Sequence, residues 1–294
     1  VRYGDAPNQR IFDDAHVLFR SDTKAHLGIA STGYKPVHPG DVLGVFHDAF
    51  AKYGLVMSAA GTLQGGRKFW ATARIDSAAP VSPRDTIRSH LLVSTSVDGT
   101  AATEARLTGT RTVCANTLAI AQSETGHAVR VSHKTAFDAN SIVINLAAAS
   151  KDWAAHCDAM RELAAHRVRQ TEAQIIIARI LAKSESPTPE AVKTAEESAG
   201  YKRIMSLFTT EQRGIDLPGV RGTAYGLLQA VTEYADHHVR AATEQNRLIS
   251  SQWGPGAALK DNTFAALLKM SRGQSAPTIE AATTADDFAA LLAK

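Results

Sequence analysis

Two turn signals, Gly65-Gly66 and Asp98-Gly99, constrain what this chain can fold into more than any other feature. Each pair supplies the positive backbone angles that a two-residue hairpin requires. Strand-like stretches flank both of them: Leu55 to Leu63 and Arg67 to Ile75 around the first, Thr86 to Val97 and Thr100 to Val113 around the second. In Arg67 to Ile75 the residues alternate, with Phe69, Ala71, Ala73 and Ile75 on one face. Lys68, Trp70, Thr72 and Arg74 fall on the other face, the pattern of a strand with one side on a core. Four antiparallel strands are expected.

Helical signals surround this block. Asp41 is placed to cap a short helix carrying Val42, Val45, Phe46, Ala49 and Phe50. A second helix is expected from about Cys114 to Gln122, and residues 1 to 35 read as an irregular arm. A polar stretch, Gly126 to Asn140, precedes a long helix from Lys151 to Lys183 with Ser150 as its cap. Ser184 to Thr188 form a linker, and Thr188-Pro189-Glu190 starts the next helix with proline at its first position. Further helices are expected at Thr223 to Val239 and Ala257 to Met270, with a short amphipathic turn at 284–292. The fold class is therefore α+β: an antiparallel hairpin sheet flanked by helices, then a mainly helical C-terminal region. The expected divisions are 1–145 for the arm and sheet core, 146–270 for the helical region and 271–294 for a tail. No internal repeat is present.

Composition bounds the partners. The 294 residues carry a net charge of +3, but from Arg67 to Lys134 nine Lys and Arg stand against five Asp and Glu. That local bias is compatible with nucleic acid and equally with a solvated sheet face. Cys114 and Cys157 lie among apolar residues at helical spacing, which predicts buried free thiols and a cytoplasmic compartment. No apolar run reaches the roughly 18 residues of a membrane span. No secretory signal is visible, although the chain opens on Val1 rather than on methionine.

Lys68, Trp70 and Arg74 share a strand face, so two cations flank a ring; phosphates on the cations and a base on the ring would suit single-stranded nucleic acid. A face whose Trp packs under a neighbouring helix fits the same pattern. Arg67, Arg88 and Arg106 add positive charge to the hairpins, and Lys134 to the loop beyond them. Arg111 differs, because alternation puts it with Ala105, Leu107 and Val113 on the apolar side. It needs a partner there, either an internal carboxylate or a ligand phosphate. If a helix starts just after it, Asn116 and Thr117 would stand beside unpaired helix amides that also favour an anion. Arg161, Arg167, Arg169, Arg179 and Lys183 line the long helix, either as a salt-laced surface or as a DNA-facing ridge. The eleven histidines, including the His127 and His133 pair and His237-His238, match no zinc spacing. No nucleophile elbow, Walker loop, dinucleotide fingerprint or two-metal acidic cluster is present, so an enzyme and a cofactor are not expected.

Four segments carry a resemblance: Gly61-Thr-Leu-Gln-Gly-Gly-Arg-Lys-Phe-Trp70, Ser94-Thr-Ser-Val-Asp-Gly99, Arg111-Thr-Val-Cys-Ala-Asn-Thr-Leu118 and Arg221-Gly-Thr-Ala-Tyr-Gly-Leu-Leu-Gln-Ala-Val-Thr-Glu-Tyr-Ala-Asp-His237. Through them the chain, from about residue 40 to 270, resembles the phage/plasmid-like protein family, long catalogued as a domain of unknown function. The order helix, hairpin meander, helix also resembles the core of RecT and Red-beta type single-strand annealing proteins, a likeness of fold only. That resemblance implies ATP-independent binding and annealing of single-stranded DNA in recombination or repair of a mobile element. It implies a homo-oligomer, as ring or filament, with Lys68, Arg74, Arg88, Arg106 and Arg111 on phosphates and Trp70 against a base. A host single-strand binding protein, docking on the tail near Phe288, or a partner exonuclease would complete the system. The alternative is a protein-binding modulator of host defence or restriction, which would need no basic groove; a purely structural homo-oligomer is a third reading.

Overall fold

The computed structural model describes residues 1–3, 7–44, 55–119, 129–131, 139–184 and 187–274. Two compact units make up the chain, and both are discontinuous in sequence. The first comprises 1–77, 88–108 and 120–153; the second comprises 78–87, 109–119 and 154–294. The fold class is α+β, with antiparallel sheets and a mainly helical C-terminal region.

Residues 1–35 are not an irregular arm. They form β1 (Arg2–Tyr3) paired with β2 (Arg10–Ile11), and β3 (Ala15–Phe19) paired with β4 (His26–Ser31). In the second hairpin Val17 lies opposite Ile29, and both are exposed, as is Phe19. Their apolar side chains lack the alternation with a buried partner face that identifies a strand in sequence. Residues 39–44 are helical, with the Asp41 carboxylate accepting from the His38 N–H at 3.2 Å; the rest of the expected helix lies outside the described residues.

The main sheet runs β10–β8–β7–β6–β5, with β9 also on β8. Its strands are β5 (Val56–Leu63), β6 (Lys68–Ser82), β7 (Asp85–Ser96), β8 (Thr103–Arg111), β9 (Thr117–Ala119) and β10 (Val129–Val131). Gly65 and Gly66 take positive φ between β5 and β6, but so does Gln64, and with Leu63 paired to Lys68 the connection is a four-residue loop rather than the expected two-residue hairpin. Asp98-Gly99 likewise lies in a longer loop between Ser96 and Thr103, with only Gly99 at positive φ. β6 continues seven residues past Ile75, where the alternation stops being legible. Phe69, Ala71, Ala73, Leu91, Val93, Ala105 and Leu107 line the core of the first unit together with Val37, Val42 and Leu55. One face of β6, β7 and β8 thus supplies that core, as period-2 burial predicts.

Helices dominate the second unit. The expected single helix from Lys151 to Lys183 is two: α1 (Ala139–Ala165), which reaches back into the first unit, and α2 (Gln170–Ala182). Between them Val168 N–H donates to the Gly222 carbonyl and His166 carbonyl accepts from Ala224 N–H. These long-range bonds interrupt a pattern that is locally helical. Ser150 is therefore an interior residue rather than a cap. Thr188 and Pro189 do start α3 (Pro189–Glu197), with the Thr188 hydroxyl accepting from Ala191 N–H. α4 (Ala199–Ser206) follows, then a π-helical turn at Leu207–Glu211. α5 (Ala224–Glu233) is buried along its whole length and ends in a second π turn, Tyr234–His238. α6 (Glu244–Trp253) and α7 (Pro255–Ser271) complete the unit, with α7 packed on α5 and α6. The tail, His127, His133 and Lys134 lie outside the described residues. Cys114 and Cys157 are buried free thiols, and no helix among the described residues is long and apolar enough to cross a membrane.

Gly226 fixes how α5 begins. The Thr223 hydroxyl caps the helix by accepting from Gly226 N–H and donates in turn to the Gly219 or Val220 carbonyl. A Cβ at Gly226 would stand 1.9 Å from the Val220 oxygen, an impossible contact. Gly226→Ala should therefore cost at least about 3 kcal/mol in urea unfolding, while Gly33→Ala, with open space around it, should cost under about 1.

His156 is a second pressure point: it is buried between Gly109 and the ring of Phe264, and burial pushes its pKa down to about 4. The folded state holds it neutral while the unfolded chain protonates it near pH 6.5. Its contribution is intact above that pH and is lost as pH falls towards 4. Unfolding midpoints at pH 7 and pH 5 should show a loss of roughly 2 kcal/mol from this group, and His156→Leu should remove that part of the acid sensitivity.

Candidate nucleic-acid interface and the motif junction

On the strands that build the first unit's core, alternate residues face the other way. On β6 these are Lys68, Trp70, Thr72 and Arg74, all half-buried. On β7 they include Arg88, which is exposed, and His90; on β8 they include Glu104 and Arg106. Phe69, Leu91 and Ala105 on the opposite side fix this parity. The sheet thus brings Lys68, Trp70, Arg74, Arg88 and Arg106 to one face, together with His90, which sequence reasoning passed over.

The geometry of that face is specific. Trp70 pairs in register with Gly61, and its indole covers that glycine: a Cβ there would come within 3.1 Å of Nε1. The ring lies across the backbone of β5 rather than standing free. Burial, with a smaller contribution from the positive charges of Arg74 and Arg88, pushes the His90 pKa down. The Arg74 Nε is buried with no hydrogen-bond partner among the described residues. Glu104 approaches Arg106 at 3.8 Å and offsets part of its charge. Arg67 is exposed in the β5–β6 turn.

The Arg111 to Leu118 segment is built differently from its expectation. No helix starts at Cys114; residues 112–114 turn, Ala115 takes φ +57°, and β9 follows. The loop closes on itself, with Arg111 N–H donating to the Asn116 carbonyl and Ala115 N–H to the Arg111 carbonyl, both at 2.9 Å. There are accordingly no free helix amides to hold an anion. Arg111 is 1 % exposed and pairs with Asp85, itself fully buried, at 2.6 Å. Its other donors reach the carbonyls of Arg213 and Gly214, and the Tyr225 ring lies 5.5 Å from the guanidinium. Burial works against the charged guanidinium, but hydrogen bonding to Asp85 outweighs it and raises the pKa above its usual value. An internal carboxylate, not a phosphate, neutralises Arg111.

Asn116 and Thr117 are likewise engaged within the second unit. The Asn116 amide donates to the Gln229 side chain and carbonyl, each at 3.1 Å. Thr117 N–H donates to Asp236 at 2.9 Å, and Lys260 bridges the Thr117 carbonyl (2.6 Å) and Asp236 (2.7 Å). His237 meets the Cys114 carbonyl at 3.2 Å. Burial raises the Cys114 thiol pKa, which leaves it a poor nucleophile. The third and fourth sequence motifs thus interlock, and beside their junction an open cleft of about 260 Å³ is lined by Thr117, Asp236, His237, Glu244 and Arg247. Of the helix cations, Arg161 pairs with Asp158 and Arg169 with Glu172, the salt-laced alternative. Lys134 lies outside the described residues.

Sequence reasoning missed Asp85, Tyr225, Asp236 and Lys260. Asp85 had a signal: it shares parity with Ile87, Ser89 and Leu91, so an acid stood on the apolar face of one strand and a base on that of another. Lys260 had none, since its partners are remote in sequence.

Antiparallel sheets followed by a mainly helical C-terminal region define an α+β protein, and in its second unit the third and fourth sequence motifs interlock. The chain belongs to the family described as Domain of unknown function (DUF932), which matches residues 26–253. No curated protein and no solved structure matches it.

The ion pair makes a sharp test. Removing one partner strands the other charge in the interior, so Asp85→Asn or Arg111→Met should each cost about 3–5 kcal/mol by urea denaturation. The double variant Asp85→Leu with Arg111→Met should cost clearly less than the sum, because neither charge remains buried alone.

Proposed function

We propose that the chain binds single-stranded DNA without ATP and anneals complementary strands, serving recombination or repair of a mobile element's DNA. The observation that carries this reading is the non-core face of the β6–β8 sheet. Lys68, Arg74, Arg88 and Arg106 share that face with Trp70, spread over three strands, and the buried Nε of Arg74 has no protein acceptor among the described residues. Cations at strand spacing suit consecutive phosphates, and an indole edge offers a surface for a base. Arg111, Asn116 and Thr117 act in this reading only as the scaffold of the second unit. The pairing of strands is added to simple binding only by the analogy to annealing proteins, whose helix directly after the meander is replaced here by β9.

Annealing of complementary labelled oligonucleotides, with neither nucleotide nor metal added, tests the reading directly. Four phosphate contacts give an expected slope of about −3 in log affinity against log salt. Lys68→Glu with Arg74→Glu should weaken binding by more than about tenfold and flatten that slope by about one unit, while the unfolding midpoint stays put. Unchanged affinity in this variant would remove the sheet face from the reading.

The exposed Val17, Phe19 and Ile29 of the β3–β4 hairpin favour a second reading, a protein-binding modulator of host defence. Under it, replacement of Val17 and Ile29 by Ser would abolish activity, and the charge reversals would leave it intact.

A further inference from the structure

The edge of the main sheet opposite β10 is β5, and among the described residues no strand lies on its outer side. Its sequence, Val-Met-Ser-Ala-Ala-Gly-Thr-Leu, contains neither charge nor proline. Every residue from Val56 to Ala60 is exposed, and so is Thr62. Edge strands are normally protected by lysines, prolines or strong twist, because an open row of N–H and C=O groups recruits another strand. β5 has one such device, a bulge between Met57 and Ala59, which leaves Ala59 to Leu63 regular and open.

We propose that β5 joins two copies of this chain along one DNA strand, each β5 pairing antiparallel with the other. This rests on the DNA-binding reading of the sheet face and specifies how that face is extended. Two-fold antiparallel pairing at an edge keeps the same sheet face on the same side in both copies. Lys68, Trp70, Arg74 and Arg88 of one copy would then run on into those of its partner as a single track. No partner of other chemistry would extend the track this way. The small side chains of Ala59, Ala60 and Gly61 place no bulk between the two backbones at the axis.

The energetics tie association to DNA. One strand pair covers far less than the roughly 1,200–2,000 Å² of a stable interface, and the two faces it aligns are both cationic. Without a polyanion the pair is weak. A strand long enough to cross both faces neutralises them and makes the second contact intramolecular.

The test is mass photometry of the full chain with oligothymidylates of about 10 and about 40 nucleotides. The expected result is one protein per short strand and two per long strand. Ala60 and Thr62 sit on the face opposite Lys68, since they pair with Ala71 and Phe69. Ala60→Lys with Thr62→Lys, and the corresponding double Glu variant, should keep native melting and bind the short strand as one protein. Both should lose the two-protein complex on the long strand by at least about tenfold. Cysteine placed at 59 or 60 in turn should give a disulfide-linked dimer that needs the long strand to form. Native protein that binds DNA but stays singly bound on the long strand would overturn this proposal and leave the DNA-binding reading standing. Pairing that survives both charge variants would overturn it too, whereas failure to bind either strand would remove both.

Discussion

Two opposite charges can leave water together only where their remaining hydrogen-bonding capacity is also met, and Arg111 with Asp85 shows what that demand organises. The pair lies between the end of β8 and the start of β7. The guanidinium has donors left over, and they take the carbonyls of Arg213 and Gly214. Gly214 has positive φ, and a Cβ there would press within 2.9 Å of the Arg111 nitrogen. Tyr225, on α5, closes over the charge. One buried cation thereby fixes a loop, a helix and two strand ends of the second unit. Its cost is borne by specificity of position rather than by net stability, since buried ion pairs seldom exceed an apolar replacement.

The junction of the third and fourth motifs extends the same logic. Asp236 accepts from Thr117 N–H with one oxygen and from Lys260 with the other, so a second buried ion pair holds β9 to the π turn after α5. The π turn matters because the extra residue per turn reorients Asp236, His237 and His238 relative to a continuing α-helix. His237 is thereby aimed at the Cys114 carbonyl and His238 towards Glu233 and Arg203. An α-helical reading of Tyr234 to Val239 does not place these side chains, although it finds the helix.

What the sequence made legible followed from short-range rules. The alternation after Arg67 and the Thr188-Pro189 start each act over a few residues and survive folding unchanged, while Gly65-Gly66 marks the turn but not its length. The parity of Arg111 was equally readable, and so was its need for a partner. The identity of that partner was not, because the strand bearing Asp85 begins one residue earlier than its β-branched run suggests. The break at 166–169 was hidden for a related reason: it is imposed by backbone bonds to residues 222 and 224, some 55 positions away. The basic face was visible one strand at a time, but His90 joins it only once β6 and β7 lie side by side.

The interleaving of the two units has a consequence for how the chain is made. The first unit lacks its last segment until residue 153 has been synthesised, and the second needs residues 78–87 to wait for partners beyond 154. Neither can close as an early, self-contained intermediate on the ribosome. Strands β6, β7 and β8 are complete at Arg111, yet the first unit's last segment runs on to residue 153. Long-range closure of this kind slows folding and lengthens exposure to aggregation. In a chain of this topology, the interval between the sheet and the segments that complete each unit is when misassociation is most open to it.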